Sequence, residues 1–343
     1  MSSDGGILLR ASTSVPNIIN GVWTGDSSGF ALHVQTGDAA PGMPAGATFA
    51  QFYNYSIGDA EGTIILKARA SGGGLTAADD EGVWVGPPGA LSLVYREGDQ
   101  APGLASGVLM GPPQGTTLAP LINHSGLIAV QTRLTGMDVT FDNDLAIVAG
   151  IPGQLTTILR TGAIVPNTGN GVIFGLPSYA ISDSGHVVVL ANLANSEIGA
   201  TSALYSWSPC EGLTQLITHG DLVDLGGALG EQPIQNGVNF VGTGNLIGSG
   251  EEGAGYATGL GQNGHFAVQA FFPSGQGGIV TGLLGDTGCA ADLNEDGEVS
   301  GGDLAALLTG WGPCAMCSID LNCNGEVSGS DLAALLAAWG PCN

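Results

Sequence analysis

NHSGLIAVQT, residues 123–132, sets a polar turn, a glycine and an apolar strand in immediate succession. The same order returns as SDGGILLRA at 3–11, DAEGTIILKA at 59–68, SDSGHVVVLA at 182–191 and GQNGHFAVQA at 261–270. The anchoring glycines are Gly6, Gly62, Gly126, Gly185 and Gly264. Their spacing is near-regular, and the last and longest interval holds a Gly-rich insertion around GSGEEGAG. Each is expected at positive φ in a turn ahead of a strand, where a glycine costs no Cβ clash.

Two further elements recur between the anchors. One is a short strand, read as NGVWTG, EGVWVG, LAIVAG, LYSWSP and GGIVTG. The other is a strand running into a turn, read as LHVQTGDAAPG, LVYREGDQAPG, ILRTGAIVPN and LITHGDLVDLG, the third of which lacks the Asp. A weaker strand precedes each anchor, as in TLAPLIN and LPSYAIS. About four strands in about 60 residues, repeated, predict a mainly β, propeller-like domain over residues 1–284, with four full units and a partial fifth. A β-sandwich or a solenoid is the alternative. The first unit begins at its anchor strand, so upstream residues, a signal peptide among them, are expected to be missing. The last unit offers only two recognisable strands.

Composition narrows the function. The chain of 343 residues carries a formal net charge of −24, with one lysine, Lys67, among 6 basic residues. Such a surface repels a phosphate backbone, which excludes nucleic acid as a partner, and it suits divalent cations. Mean hydropathy is positive, against disorder. No apolar run is long enough for a transmembrane helix. Five of the six cysteines lie from Cys289 onward. That density favours disulfides in an oxidising compartment over a zinc site, for which Cys314-Ala-Met-Cys317 is the one local motif.

The repeats themselves offer little chemistry. Gly25-Asp-Ser-Ser-Gly29 matches G-x-S-x-G but lies between two strand-like runs, as a hairpin turn would. Gly259-Leu-Gly-Gln-Asn-Gly264 matches G-x-G-x-x-G, but a strand follows where a nucleotide site needs a helix. Glu251 and Glu252 sit in the Gly-rich insertion, the place for a variable binding surface rather than a rigid carboxyl pair. The five histidines form no metal-binding pair, and Arg96 and Arg160 share a repeat position that reads as a sheet edge.

The C-terminal segment, 289–343, follows a short linker at 285–288 and repeats one sentence. It reads DLNEDGEVSGGDLAALLTGWGPC from Asp292 to Cys314, then DLNCNGEVSGSDLAALLAAWGPC from Asp320 to Cys342. The acidic halves place oxygen donors at the spacing of a calcium loop with glycine at its sharp turn. In the first they are Asp292, Asn294, Asp296, the carbonyl of Glu298, Ser300 and Asp303, with Gly297 at the turn. In the second they are Asp320, Asn322, Asn324, the carbonyl of Glu326, Ser328 and Asp331, with Gly325. Two calcium ions are therefore expected, the second held more weakly because only Asp320 and Asp331 are carboxylates there. Val299 and Val327 are placed to pair the two loops. The apolar halves predict helices, with Leu304, Leu307, Leu308 and Trp311, and Leu332, Leu335, Leu336 and Trp339, forming stripes that bury each other. Neither helix is long enough to stand alone, which explains the doubling.

These features resemble known families. The anchor Asn123-His-Ser-Gly126 with Ala129, and the turn Glu97-Gly-Asp-Gln-Ala-Pro-Gly103, resemble a secreted bacterial tandem-repeat family of the Asn-x-x-Gly-x-x-Ala-Phe type, which brings no catalytic residues. The duplicated loop-helix ending in Asp resembles a type I dockerin module, which implies the calcium ligands named above and attachment to a cohesin-like or envelope protein. Gly301-Gly302 and Gly329-Ser330 stand where cellulosomal dockerins carry bulkier polar pairs. The resemblance makes Cys289–Cys342 with Cys314–Cys317 one pairing; pairing within each repeat is another, and Cys210 and Cys323 stand outside both schemes. The expectation is a secreted or cell-surface, non-catalytic binding or scaffold protein. A glycan ligand of the repeat domain, a role in polysaccharide degradation, and a purely structural surface protein are the alternatives.

Overall fold

The computed structural model describes residues 6–13, 19–59, 61–113, 116, 118–166, 168, 170–225, 230–235, 237–240, 260–261, 264–273, 275, 277–284, 291–294, 296–314, 319–321 and 325–342. The chain is mainly β. Its long N-terminal part forms five small antiparallel sheets in chain order. The first holds β1 (Ile7–Thr13), β2 (Ile19–Asp26) and β3 (Gly29–Gln35). The second holds β4 (Ala47–Ile57), β5 (Ile64–Gly72), β6 (Glu81–Gly86) and β7 (Ser92–Arg96). The third holds β8 (Val108–Met110), β9 (Leu121–Ile122), β10 (Ile128–Gly136), β11 (Leu145–Ile151) and β12 (Gln154–Arg160). Here β8 and β9 are two pieces of one edge, pairing with opposite ends of β10. The fourth holds β13 (Val172–Ile181), β14 (Val187–Ala194), β15 (Ser202–Ser208) and β16 (Gly212–Ile217). A small ribbon of β17 (Leu222–Asp224) and β18 (Glu231–Pro233) precedes the fifth sheet, made of β19 (Val238–Phe240), β20 (His265–Phe271) and β21 (Gly277–Leu283). The last unit thus has three strands, not the two that the sequence reveals.

From the second sheet onward, the anchor glycine opens an inner strand, and the strand before it forms the adjacent edge. Gly62, Gly126, Gly185 and Gly264 lie at φ between +84° and +88°, as the turns require. The sheets stack face to face in sequence order, because the inner strands β5, β10 and β14 bury both faces. In β5, Ile64, Leu66 and Ala68 enter a cluster shared with Val22 and Val34 of the first sheet. Ile65 enters one shared with Ile128 and Val130 of the third. Ala129 and Ile147 then meet Val187 and Val189 of the fourth, and Val188 and Leu204 meet Phe266 and Val268 of the fifth. Burial on both sides is why these strands read as unbroken apolar runs rather than alternating ones.

The recurring turns have a direct physical cause. Asn123 accepts from Leu127 N–H at 2.8 Å through Oδ1 and donates to Ser182 O at 2.8 Å through Nδ2. His124 N–H donates to Asp183 Oδ1 at 2.9 Å, so the anchor turns of sheets three and four are joined. In the Gly-Asp turns, Asp38, Asp99 and Asp221 each accept the backbone N–H three residues earlier, at 2.7–2.9 Å.

The C-terminal module contains β22 (Glu298–Val299), α1 (Gly301–Thr309), β23 (Gly312–Pro313), β24 (Glu326–Val327), α2 (Gly329–Ala337) and β25 (Gly340–Pro341). The two loops do not pair with each other, as Val299 and Val327 suggested. β22 pairs with β25 and β24 pairs with β23, so the Gly-Pro tail after each helix clasps the opposite loop. Cys342 N–H donates to Gly297 O at 3.0 Å and Cys314 N–H to Gly325 O at 2.8 Å, which extends both clasps. Val299 and Val327 still reach a common core with Leu307 and Leu335, all at 0% exposure. The helical stripes are buried only in part, for Leu308, Trp311, Leu336 and Trp339 are each about half exposed (49–51%). A nine-residue helix turns two and a half times, and one partner helix covers only one side of it. Among the described residues no helix is long and apolar enough to cross a membrane.

Candidate functional site

The first acidic loop is organised by its own backbone. Gly297, at φ +88°, turns the chain so that Gly297 N–H donates to Asp292 Oδ2 at 2.7 Å and Asp296 N–H to Asp292 Oδ1 at 3.0 Å. Asp296 Oδ1 accepts from Glu298 N–H at 3.1 Å, and Asp296 Oδ2 accepts from Asn294 Nδ2 at 3.0 Å. Asp303 reaches back from the first turn of α1 to accept from Asn294 N–H at 3.1 Å and Ser300 N–H at 2.8 Å. Its side chain is fully covered, and these backbone donors hold its carboxyl below the usual carboxylate range. Asp292, Asn294, Asp296, Ser300 and Asp303 are thereby gathered on one loop. The Glu298 carbonyl lies on the strand that β25 clasps.

The second loop repeats this geometry. Gly325, at φ +85°, donates to Asp320 Oδ2 at 2.7 Å, and Ser328 N–H donates to Asp331 Oδ2 at 2.8 Å. Asp320 and Asp331 are buried and Glu326 is exposed. Asn322 and Asn324, expected as ligands, lie outside the described residues. Among the described residues no three acidic, His or Cys side chains stand close enough to form a ready metal cage. The donor chemistry nevertheless fits a hard cation. Every side-chain donor is oxygen, the buried Asp303 is held ionised, and no Lys or Arg follows Arg160 to neutralise these loops.

The module rests against the repeat domain through this second loop. Cys210 Sγ, in the β15–β16 turn, lies 3.9 Å from Asp320 O. A Cβ on Gly325 would stand 3.5 Å from Oε1 of Gln154, which opens β12 just after the β11–β12 turn. Ile128 pairs with Gly150 and Val187 with Trp207, so both turns lie at the anchor-turn end of their sheets. Sequence spacing carries no signal for a contact between positions so far apart in the chain. Cys289, Cys317 and Cys323 lie outside the described residues, as do Glu251, Glu252 and the linker.

Elsewhere the repeat motifs are structural. Asp26 to Gly29, within the G-x-S-x-G match, turns between β2 and β3, and the Asp26 carboxylate is occupied by Ser28. Arg96 and Arg160 end the outer strands β7 and β12; Arg96 faces Asp79 at 3.8 Å and Arg160 donates to Asn143 O at 2.6 Å. His33 is buried with Nδ1 3.3 Å from Thr24 Oγ1, and burial pushes it down to about 4, so it is neutral. Two features escaped sequence reading. Lys67 is fully buried and donates to Thr116 Oγ1, Leu118 O and Gln131 O at 2.5–3.1 Å. Glu97 stands beside the buried Glu81, whose Oε1 accepts from Tyr53 OH at 2.8 Å.

The model of a family of unknown function, DUF7453, matches residues 7–282. No curated protein matches the chain. Among solved structures, an alpha-L-arabinanase of Penicillium chrysogenum complexed with arabinobiose is similar at 11% identity and a TM-score of 0.30, over 81% of this chain and 90% of that one.

Proposed function

We propose, from the premise that the chain belongs to the DUF7453 family and takes no established activity from it, that it is a secreted or cell-surface, non-catalytic binding protein. In this reading the five stacked sheets form a propeller-like domain that presents a binding face. The C-terminal module is dockerin-like, takes two calcium ions and attaches the protein to a protein partner or envelope component. The observation that carries the reading is the doubled loop geometry, in which equivalent carboxylates are held by equivalent backbone donors in both loops. Asp292, Asn294, Asp296, Ser300, Asp303 and the Glu298 carbonyl would hold one ion; Asp320, Asn322, Asn324, Ser328, Asp331 and the Glu326 carbonyl would hold the other. Calcium supplies the positive charge that the C-terminal half of the chain lacks.

The half-exposed Leu308 and Trp311, with their counterparts Leu336 and Trp339, are the apolar surface such a module offers a partner. The alternative, an enzyme of polysaccharide degradation, needs two carboxyls facing a cleft. Glu81 and Glu97 are adjacent, but Glu81 is 1% exposed and Glu97 Oε2 is covered, which favours the non-catalytic reading.

Calorimetric titration of the full chain with calcium tests the proposal, with Trp fluorescence recorded alongside. Two bound ions are expected, with one lost in Asp292→Ala and the other in Asp320→Ala. Retention of both ions by both variants, or no binding at millimolar calcium, would remove the calcium reading.

A further inference from the structure

We propose that the open faces of the first and fifth sheets are the two halves of a head-to-tail interface between copies of this chain. The first sheet's open face is built like one that the fold already buries. Leu9, Trp23 and Leu32 stand side by side across β1, β2 and β3, as Leu66, Trp84 and Leu93 do across β5, β6 and β7. The resemblance extends to the packing of the rings. A Cβ on Gly21 would stand 2.7 Å from the Trp23 ring and 3.1 Å from Leu32. One on Gly82 would stand 3.0 Å from the Trp84 ring and 3.0 Å from Leu93. Each indole thus lies across the glycine two residues before it, beside the leucine of the next strand. In the second sheet this row packs toward Val22 and Val34 of the first, and Trp84 is fully buried. In the first sheet, among the described residues, no sheet covers the row. Leu9 and Leu32 are each 41% exposed there and Trp23 is half-buried.

The fifth sheet supplies the other half. Its Phe266, Val268 and Ala270 turn toward the fourth sheet, so alternation turns Ala267 and Gln269 away, with their partners Thr281 and Ile279. Ile279 is 59% exposed on that outward face. It is the face with which each earlier sheet meets its successor, whereas the Leu9–Trp23–Leu32 row is the kind that meets a predecessor. Laying the fifth sheet of one copy on the first of the next therefore continues the sheet-on-sheet series that already joins the five. Two like faces would not continue it. Such a contact is heterologous, and it closes into a ring of copies or runs on. Neither outward row carries Asp, Glu, Lys or Arg, although the chain's net charge is −24. Apolar surface is thus covered without burying an unpaired charge. The contact uses neither calcium nor the C-terminal module.

Sedimentation equilibrium of the full chain in chelator, from micromolar to submillimolar, tests it. The weight-average mass is expected to exceed the 34.1 kDa of one chain as concentration rises. Leu32→Asp spoils one face and Ile279→Asp the other. Both positions are exposed in the separate chain, and near-ultraviolet circular dichroism checks that the variants fold; Phe30→Asp replaces Leu32→Asp if it does not. Each variant alone should stay at the mass of one chain. Mixed, they should form a pair and stop there, because each supplies the face that the other has lost. A parent that keeps the mass of one chain throughout, as closure of both faces within one chain would give, would overturn the proposal. So would association retained by either variant alone, or a mixture no heavier than its parts.

Discussion

Glu97 carries one carboxyl oxygen that is buried without a hydrogen-bond partner, at the turn leaving β7. Burial pushes its carboxyl up to about 7, and the charges of Glu81, Asp80 and Asp79 add to the shift. A carboxyl whose folded pKa is raised keeps its proton longer than the unfolded chain does. Its contribution to stability is therefore full below about pH 4.3, the unfolded value, and is lost as pH rises through about 7. Glu97→Gln should leave the melting temperature unchanged near pH 4 and raise it by roughly 1–2 °C at pH 8, measured by calorimetry against the parent. Parallel curves across that range would show that Glu97 is already ionised in the fold. Lys67 makes the complementary point about legibility. In the sequence it is one polar residue inside IILKA, with nothing to distinguish a solvent-facing lysine from a buried one. Its three acceptors come from Thr116, Leu118 and Gln131, far along the chain, where the edge strand of the third sheet is interrupted between β8 and β9. Burial lowers its pKa to about 7, and the site compensates with oxygens rather than with a carboxylate.

At the scale of elements, the Gly-Asp turns show what a repeated residue contributes. Asp99 Oδ2 accepts from Arg96 N–H at 2.7 Å, while the third copy has Ala163 at that place and still turns at Gly162, φ +83°. The carboxylate therefore stabilises a turn that the glycine makes. Asp99→Ala should fold with a loss of about 0.5–1.5 kcal/mol, the usual net worth of one such bond, read from denaturant unfolding. A loss several times larger would mean that Asp99 shapes the turn and that the third copy has another compensation. Strands with a glycine anchor were legible because turn and strand lie together in sequence. The strand β4 was harder to see, since ATFAQFYNYSI mixes polar and apolar residues, and its pairing with β5 slips register twice. Local pattern also located both acidic loops and both helices. The exchange of clasps, β22 with β25 and β23 with β24, was invisible because a two-residue Gly-Pro strand has no periodicity to read.

Across the whole molecule, the sheets are joined like links, each core cluster belonging to two neighbours. The third and fourth sheets are packed on both faces, whereas the first and fifth leave apolar side chains uncovered. Leu9, Phe30 and Leu32 are 41–46% exposed, and Ile279 and Leu283 are 59% and 41% exposed. In such an array stability is a sum of unit terms and nearest-neighbour interface terms, so the ends open before the middle. Native-state hydrogen exchange should therefore show β10, β11, β14 and β15 exchanging slowest. Central strands of the first and fifth sheets, β2 and β20, should exchange faster by about ten-fold or more, although each lies between two neighbouring strands. If all five sheets instead exchange at one common rate, the first and fifth must share an interface that completes a ring, and the open faces of Leu9, Phe30, Ile279 and Leu283 would be the surfaces that meet.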